Sequence, residues 1–227
     1  MFSDKQISLY KAFNSDNNIP KKHIDYLQDI KNKYNFEPKV IYDIGCCVLH
    51  WTKSIEKIWP NSEFILFDVM EEAEFLYKEY KYNIGVLGEE DSKVIDFYQN
   101  DYAPAGNSRY KEIGSFDHDI LFNDSHKIQK VIRTLDSVVR ENNYPPPDFI
   151  KIDAQGCEVD ILKGAKDTLK SCKHLIIELQ HQQYNLGAPL SKESIPFIES
   201  LGFKLVTPLF CNNGPDGDYH FMNNSTT

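Results

Sequence analysis

Carboxylates recur at the ends of short apolar runs in this chain, where their chemistry is usable. Asp43 closes Val40-Ile41-Tyr42-Asp43 and is followed by Ile44-Gly45; Asp68 closes Phe64-Ile65-Leu66-Phe67-Asp68. Asp153 closes Phe149-Ile150-Lys151-Ile152-Asp153, and Glu178-Leu179-Gln180-His181 ends a further run that starts at His174. A glycine directly after a buried strand permits a tight turn and lets a ligand approach the backbone. A carboxylate ending the next strand can accept hydrogen bonds from both hydroxyls of a ribose. Asp153 and His181 are residue types that can take a proton from a reacting group. The pattern therefore points to a nucleoside-containing ligand beside an acid–base centre. Lys151 lies on the face of Asp153, one step deeper, where an ammonium is costly unless paired. Glu178 on the next strand is its expected partner.

The elements that must position these residues alternate. Val40–Asp43, Phe64–Asp68, Asn83–Leu87, Asp148–Asp153 and His174–Leu179 read as buried strands. Between them, Trp51, Ile55, Ile58 and Trp59 fall on one helical face that stops at Pro60, and Glu71–Tyr80 and Glu158–Lys170 read as helices. Thr134 and Ser191 are suited to cap two more. Val94–Tyr98 reads as a strand within an otherwise irregular stretch, 89–133. Phe203–Phe210 and Tyr219–Met222 flank Gly214-Pro215-Asp216-Gly217, a hairpin signature. The expectation is a Rossmann-like α/β fold: a seven-stranded sheet, mostly parallel with a C-terminal antiparallel hairpin, and helices on both faces. Residues 1–38 read as an N-terminal arm followed by a short amphipathic helix on Ile24, Leu27 and Ile30, and 39–227 as a single domain.

A net charge of −9 disfavours a phosphate backbone as partner, so nucleic acid is set aside. The five cysteines form no C-x-x-C pair, which argues against a zinc site or a disulfide frame; reduced thiols fit the cytoplasm. No stretch suits a signal peptide or a membrane span. Oligomeric state is not legible.

Taken together, Ile41-Tyr42-Asp43-Ile44-Gly45, Phe67-Asp68, Thr134-Leu135-Asp136, Ile150-Lys151-Ile152-Asp153 with Gly156 and Glu158, Leu162-Lys163-Gly164-Ala165 and Ile177-Glu178 resemble the FkbM-type methyltransferases, over roughly residues 39–180. The resemblance implies O-methyl transfer from S-adenosylmethionine (SAM) to a hydroxyl of a small molecule, a sugar or glycoconjugate. It implies that Asp43 and Gly45 hold the amino-acid part of SAM, Asp68 the ribose, and Leu87-Gly88 border the adenine. Asp153 would face the methyl group and acceptor, with Asp153 or His181 as base. Asn107 and Ser108 would lie on a small polar loop touching either ligand, and Glu158 and Glu178 near the acceptor. No ligand set for a metal accompanies Asp153. The chain departs from the family where Asp-x-Gly-Ala-Asn-x-Gly becomes Asp43-Ile44-Gly45-Cys46-Cys47-Val48-Leu49, and where Gln155 replaces a glutamate. Two rival readings share parts of the pattern. One is a nicotinamide-dependent sugar oxidoreductase. The other is a non-catalytic methyltransferase-like binding module, whose best support is Leu49 crowding the cofactor.

Overall fold

The computed structural model describes residues 3–15, 19–100, 103–113 and 122–226. Strands β1 (Val40–Ile44), β2 (Glu63–Asp68) and β3 (Lys81–Ile84) pair in parallel on one side of the sheet. On the other side, β7 (Phe149–Ile152) and β8 (His174–Gln180) continue the parallel order from β1. Between β3 and β7 the chain forms β4 (Val86–Leu87), β5 (Val94–Tyr98) and β6 (Lys127–Arg133). The chain ends in β9 (Phe203–Asn212) and β10 (Asp216–Asn223), with β10 inserted antiparallel between β8 and β9. The resulting seven-stranded order is β3-β2-β1-β7-β8-β10-β9. Strand order reverses beside β1, so the crevice at the carboxyl ends of β1 and β7 is where this architecture places ligands.

The sheet is covered on both faces because its strands are apolar on both. Tyr42, Ile44, Phe67, Ile150, Ile152 and Ile177 pack on one face against α5 (Leu135–Asn142), α6 (Glu158–Lys163) and α7 (Ser191–Ser200). Ile41, Leu66, Phe149 and Ile176 pack on the other against α2 (Lys21–Tyr34) and α3 (His50–Ile55), with Leu27, Ile30, Ile55 and Trp59 buried there. Continuous apolar runs of this kind are what a doubly covered parallel sheet requires.

Several expectations need adjustment. The N-terminal arm expected ahead of the amphipathic helix contains a helix of its own, α1 (Asp4–Phe13). Ser3 and Gln6 make a reciprocal capping box at its start, and Leu9 is buried. The helix expected over Glu71–Tyr80 contracts to a 3₁₀ turn and the short α4 (Glu74–Tyr77), and that expected over Glu158–Lys170 stops at Lys163. The strand expected at Asn83–Leu87 breaks at Gly85, after which β4 leaves the main sheet and pairs with β6. Together β4, β6 and β5 make a second, three-stranded sheet. Among the described residues no helix is long and apolar enough to cross a membrane.

Helix α2 is tied to the C-terminal strands by polar contacts far apart in sequence. Tyr26 donates to Thr207 Oγ1 at 3.0 Å, which leaves its oxygen to accept from His220 Nδ1 at 2.8 Å. His220 Nε2 then accepts from His174 Nδ1 at 2.8 Å. Burial pushes the two imidazoles down, to about 4 for His174 and about 3 for His220, so both are neutral spacers in this chain of bonds. Tyr26 also stacks on Phe210 with centroids 4.1 Å apart.

Candidate active site at the carboxyl ends of the central strands

The loop after β1 is built around a close approach. A Cβ on Gly45 would sit 1.8 Å from the carbonyl oxygen of Asp153, and the residue has φ +79°, so only glycine fits between β1 and β7. The backbone continues left-handed at Cys47 (φ 44°) and Leu49 (φ 65°). Leu49, standing where the family has its second glycine, thus keeps a glycine-like conformation. Its side chain is fully buried in the core beneath and lines neither cavity described below, so it does not crowd the site. Replacing Leu49 by Gly relieves the left-handed strain, worth about 1 kcal/mol, but removes a core side chain worth about 2–5 kcal/mol. The expected outcome is a net loss of roughly 1–4 kcal/mol in urea denaturation with cofactor affinity unchanged; a tighter-binding Leu49→Gly variant would show that the leucine does obstruct the pocket.

Lys151 is not paired with Glu178. The parallel register sets Lys151 opposite Asp43 on one side and Ile176 on the other, leaving Glu178 further along β8. Its ammonium lies 3.3 Å from Asp43 Oδ1 and 3.4 Å from Asp153 Oδ2, and donates to the Gly45 carbonyl at 3.0 Å. Burial opposes the charge, but the two carboxylates outweigh it and hold the lysine protonated. Asp43 is completely buried, accepts from Thr52 Oγ1 at 2.5 Å, and lines neither cavity. It supports the site from below.

Two adjoining cavities open at this crevice and share Gly45, Cys47, Ala105, Asp153 and Glu178. The narrower, about 180 Å³, is walled by Asp68, Val69, Val86, Leu87, Phe97 and Asn107. Asp68 accepts from the backbone N–H of Cys47 (2.7 Å), Val69 (2.8 Å) and Met70 (3.0 Å). A carboxylate offers about four acceptor sites, so Asp68 retains capacity for one further donor rather than two. Asn107 is buried, and its Oδ1 accepts from Asn100 N at 2.7 Å. Among the described residues its Nδ2 is a buried donor with no partner, and such an amide on a cavity wall is suited to a ligand acceptor. With the apolar walls around it, this set fits the nucleoside end of SAM.

The larger cavity, about 860 Å³, is walled by residues from both ends of the chain, among them Lys21, Lys22, His23, Cys211, Asn213 and Asp218, with His50 and Trp51 from α3. The polar turn after β9 therefore does reach the crevice. Ligand atoms of His23, Cys211 and Asp218 lie within 4.8 Å of one another. Trp51 Nε1 donates to His23 Nδ1 at 3.1 Å, and an indole nitrogen can only donate. The ring proton is therefore on Nε2, pointing at Asp218 Oδ2 3.0 Å away. With that proton in place Nε2 has no lone pair for a metal, and the set is a hydrogen-bonded clasp between α2 and β10.

Asp153 and Glu178 meet where the cavities join. Burial disfavours ionisation of Asp153, but Lys151 and the amide of Gln155 hold it below the usual carboxylate range. Burial, then the neighbouring Asp153, Asp216 and Asp218, push Glu178 well above it. The two carboxyl groups are thus driven apart into an ionised and a protonated partner. Gln155 Nε2 spans them, at 3.3 Å from Asp153 Oδ1 and 3.1 Å from Glu178 Oε2, and its own Oε1 accepts from Tyr184 at 2.7 Å. Gln155 holds a left-handed φ of 52° to do so. A glutamate there would crowd a third carboxylate into the pair.

Other anticipated residues stand behind the walls. Ser108 is buried and donates to the Gln155 carbonyl at 2.6 Å. Gly88 lies close against Gly164 and Ile132. His181 bonds Tyr219 at 2.9 Å and lines neither cavity. Glu158 Oε1 accepts from Ala154 N (2.9 Å) and Gly156 N (3.1 Å), bracing the loop after β7. Burial raises its carboxyl to about 7. A folded value above the unfolded one means stability present below about pH 4.5 and lost as pH rises through about 7. Glu158→Gln keeps the acceptor without the charge. It should therefore exceed the wild type in stability at pH 8, by on the order of 3 kcal/mol, and lose most of that advantage at pH 5. A difference independent of pH in paired thermal melts would refute this.

Comparison with known proteins agrees with the geometry. The S-adenosylmethionine-dependent methyltransferase of Clostridium acetobutylicum superposes with a TM-score of 0.51 at 10% identity, covering 92% of this chain and 93% of that one. Cofactor-bound Rv0187 from MTB superposes with a TM-score of 0.50 at 8% identity, covering 96% and 88%. At such identities the likeness is one of fold. The hexuronic acid methyltransferase AglP of Haloferax volcanii is 32% identical over 66 residues, which is 26% of this chain and 28% of that protein. Residues 40–205 match the methyltransferase FkbM domain. The match shows the family: this chain belongs to the methyltransferase FkbM family.

Proposed function

We propose that the enzyme methylates a hydroxyl of a small acceptor, a sugar or glycoconjugate, held in the larger cavity. The observation that carries this is the placement of Asp153 at the junction of the two cavities, fixed between Lys151 and Gln155. SAM supplies an electrophilic methyl group. Asn107, Asp68 and Leu87 would hold its nucleoside, and Gly45 and Cys47 its amino-acid end. Asp153 accepts the proton of the acceptor hydroxyl, while protonated Glu178 donates a hydrogen bond beside it. The aromatic face of Trp51 and the polar groups of Asn213 and Asp218 suit a carbohydrate. The archaeal relative's name, hexuronic acid methyltransferase, supports a sugar. Residues 39–227 would act as one catalytic domain, to which the preceding 1–38 add part of the acceptor wall. The cysteines are free, as in a reducing compartment, and we place the enzyme in the cytoplasm.

Calorimetric titration with S-adenosylhomocysteine, SAM and NAD, followed by transfer of labelled methyl to a panel of sugars, tests this reading. Binding of the sulfur compounds alone and label appearing as an alkali-stable methyl ether are expected. Label in an alkali-labile ester would move the reaction to a carboxyl group.

A further inference from the structure

Two successive residues after β7 are left-handed, Gln155 at φ 52° and Gly156 at φ 91°. Glycine takes that conformation freely, whereas a residue with a side chain is strained by it. A glycine at 155 would serve the turn but would place nothing between Asp153 and Glu178. The strain therefore marks the side chain as the reason for the residue.

A carboxamide has one donor end and one acceptor end. Only the donor end suits Asp153, since a carbonyl oxygen turned toward a carboxylate is repelled. Tyr184 fixes that orientation by donating its O–H to Gln155 Oε1 at 2.7 Å. Burial and the nearby Glu178 push the phenol up, so it keeps the proton it donates. Tyr184 is itself pinned. Its carbonyl accepts from Ile113 N at 2.6 Å, and the adjacent Asn185 is fully buried and accepts from Gln180 Nε2 at 2.7 Å. With Oε1 held, Nε2 is left to reach Asp153 Oδ1 and Glu178 Oε2 together.

The charges around the pair are unequal. Lys151 of β7 faces Asp153, while Asp216 and Asp218 of β10 and Glu158 of α6 bear on Glu178. Cys47, after β1, stays a neutral thiol beside Asp153 because burial pushes it up to about 12. This asymmetry favours a proton on Glu178, but it does not set the direction in which the Asp153 carboxylate points. From the geometry we infer that Gln155 and Tyr184 are positioning residues: Tyr184 orients the Gln155 amide, and the amide holds Asp153 ionised and aimed at the junction of the cavities. Tyr184 lines neither cavity and acts through Gln155. The use of that anion as a base rests on the reading of the site given above.

The test follows the Asp153 carboxyl itself, by NMR titration of the full chain labelled with carbon-13 at its aspartate side-chain carboxyls. The signal lost in Asp153→Asn identifies it. In the wild type it should remain that of a carboxylate down to about pH 4, the ordinary midpoint for an aspartate. Tyr184→Phe removes one oxygen and keeps the ring; Gln155→Met keeps the length of the side chain without its polar end. Each should raise the Asp153 midpoint by about one pH unit, as expected for a lost hydrogen bond to a charged group. In the double variant the second substitution should add nothing, because the amide through which Tyr184 acts is already gone. If Gln155→Met does not fold, Tyr184→Phe decides alone. A wild-type midpoint well above 4, a midpoint unmoved by Tyr184→Phe, or shifts that add in the double variant overturns the inference. The titration needs neither cofactor nor acceptor, so those outcomes leave the methyltransferase reading intact. Full turnover by Asp153→Asn would strike the base and not this arrangement.

Discussion

Asp153→Asn is expected to lower turnover by about 10²–10⁴-fold, the usual contribution of a positioned base, while S-adenosylhomocysteine affinity changes by less than about threefold. The asparagine keeps the size of the side chain and an acceptor oxygen for Gln155 or Lys151. What it loses is the ability to take a proton and the negative charge facing Lys151. Lys151 keeps Asp43 as a partner, so the floor of the site should hold together. Single-turnover measurement of methyl transfer, with binding measured separately, isolates the effect. Unchanged turnover would remove Asp153 from the chemistry and leave alignment of the acceptor as the whole of catalysis, which can be worth about 7–11 kcal/mol by itself. A large loss of cofactor affinity would instead make Asp153 a binding residue.

The second large effect is on stability. Lys151→Met leaves the fully buried carboxylate of Asp43 with Thr52 as its remaining hydrogen-bond donor. Breaking a buried ion pair from one side costs about 3–5 kcal/mol, because the surviving charge has lost its compensation. A loss of that size should appear as a lower urea midpoint with an unchanged m-value. Asp43→Asn combined with Lys151→Met removes both charges and should recover much of the loss. If the single variant is as stable as the wild type, the Asp43–Lys151 pair is not what secures the floor of the crevice. Asp153 provides an independent readout. Without the ammonium it loses the main influence that holds its carboxyl down, so the acid limb of the rate profile should move to higher pH.

Much of the catalytic frame was legible in the sequence because it rests on local pattern. Runs such as Ile41-Tyr42-Asp43-Ile44-Gly45 and Ile150-Lys151-Ile152-Asp153 are apolar enough to be strands buried on both faces, and their terminal carboxylates follow from chain direction alone. Asp153 and Glu178 therefore came out on one edge, as read. The aspartate that ends β2 likewise sits on the cavity wall, though its backbone partners leave less capacity than two ribose hydroxyls need. The stretch Lys127–Arg133 was not recognised as a strand, because its pairing partners β4 and β5 are supplied from 86–98 rather than by a neighbouring hairpin.

The sequence by itself determined the fold class, the family and which residues stand at the carboxyl edge of the sheet, since strand periodicity and short-range motifs are local properties of the chain. Only the tertiary structure decided which of those residues face a ligand and which face one another. Strand register gave Lys151 to Asp43 and Asp153 instead of Glu178, sent Asp43 into the core, and turned His181 toward Tyr219. It also brought His23 of α2 to Asp218 of β10. The one available hint was that His23 shares the buried helical face of Leu27 and Ile30. Spacing cannot say what such a face meets. That depends on how α2 crosses strands formed by the far end of the chain, a contact set by packing rather than by any nearby residue.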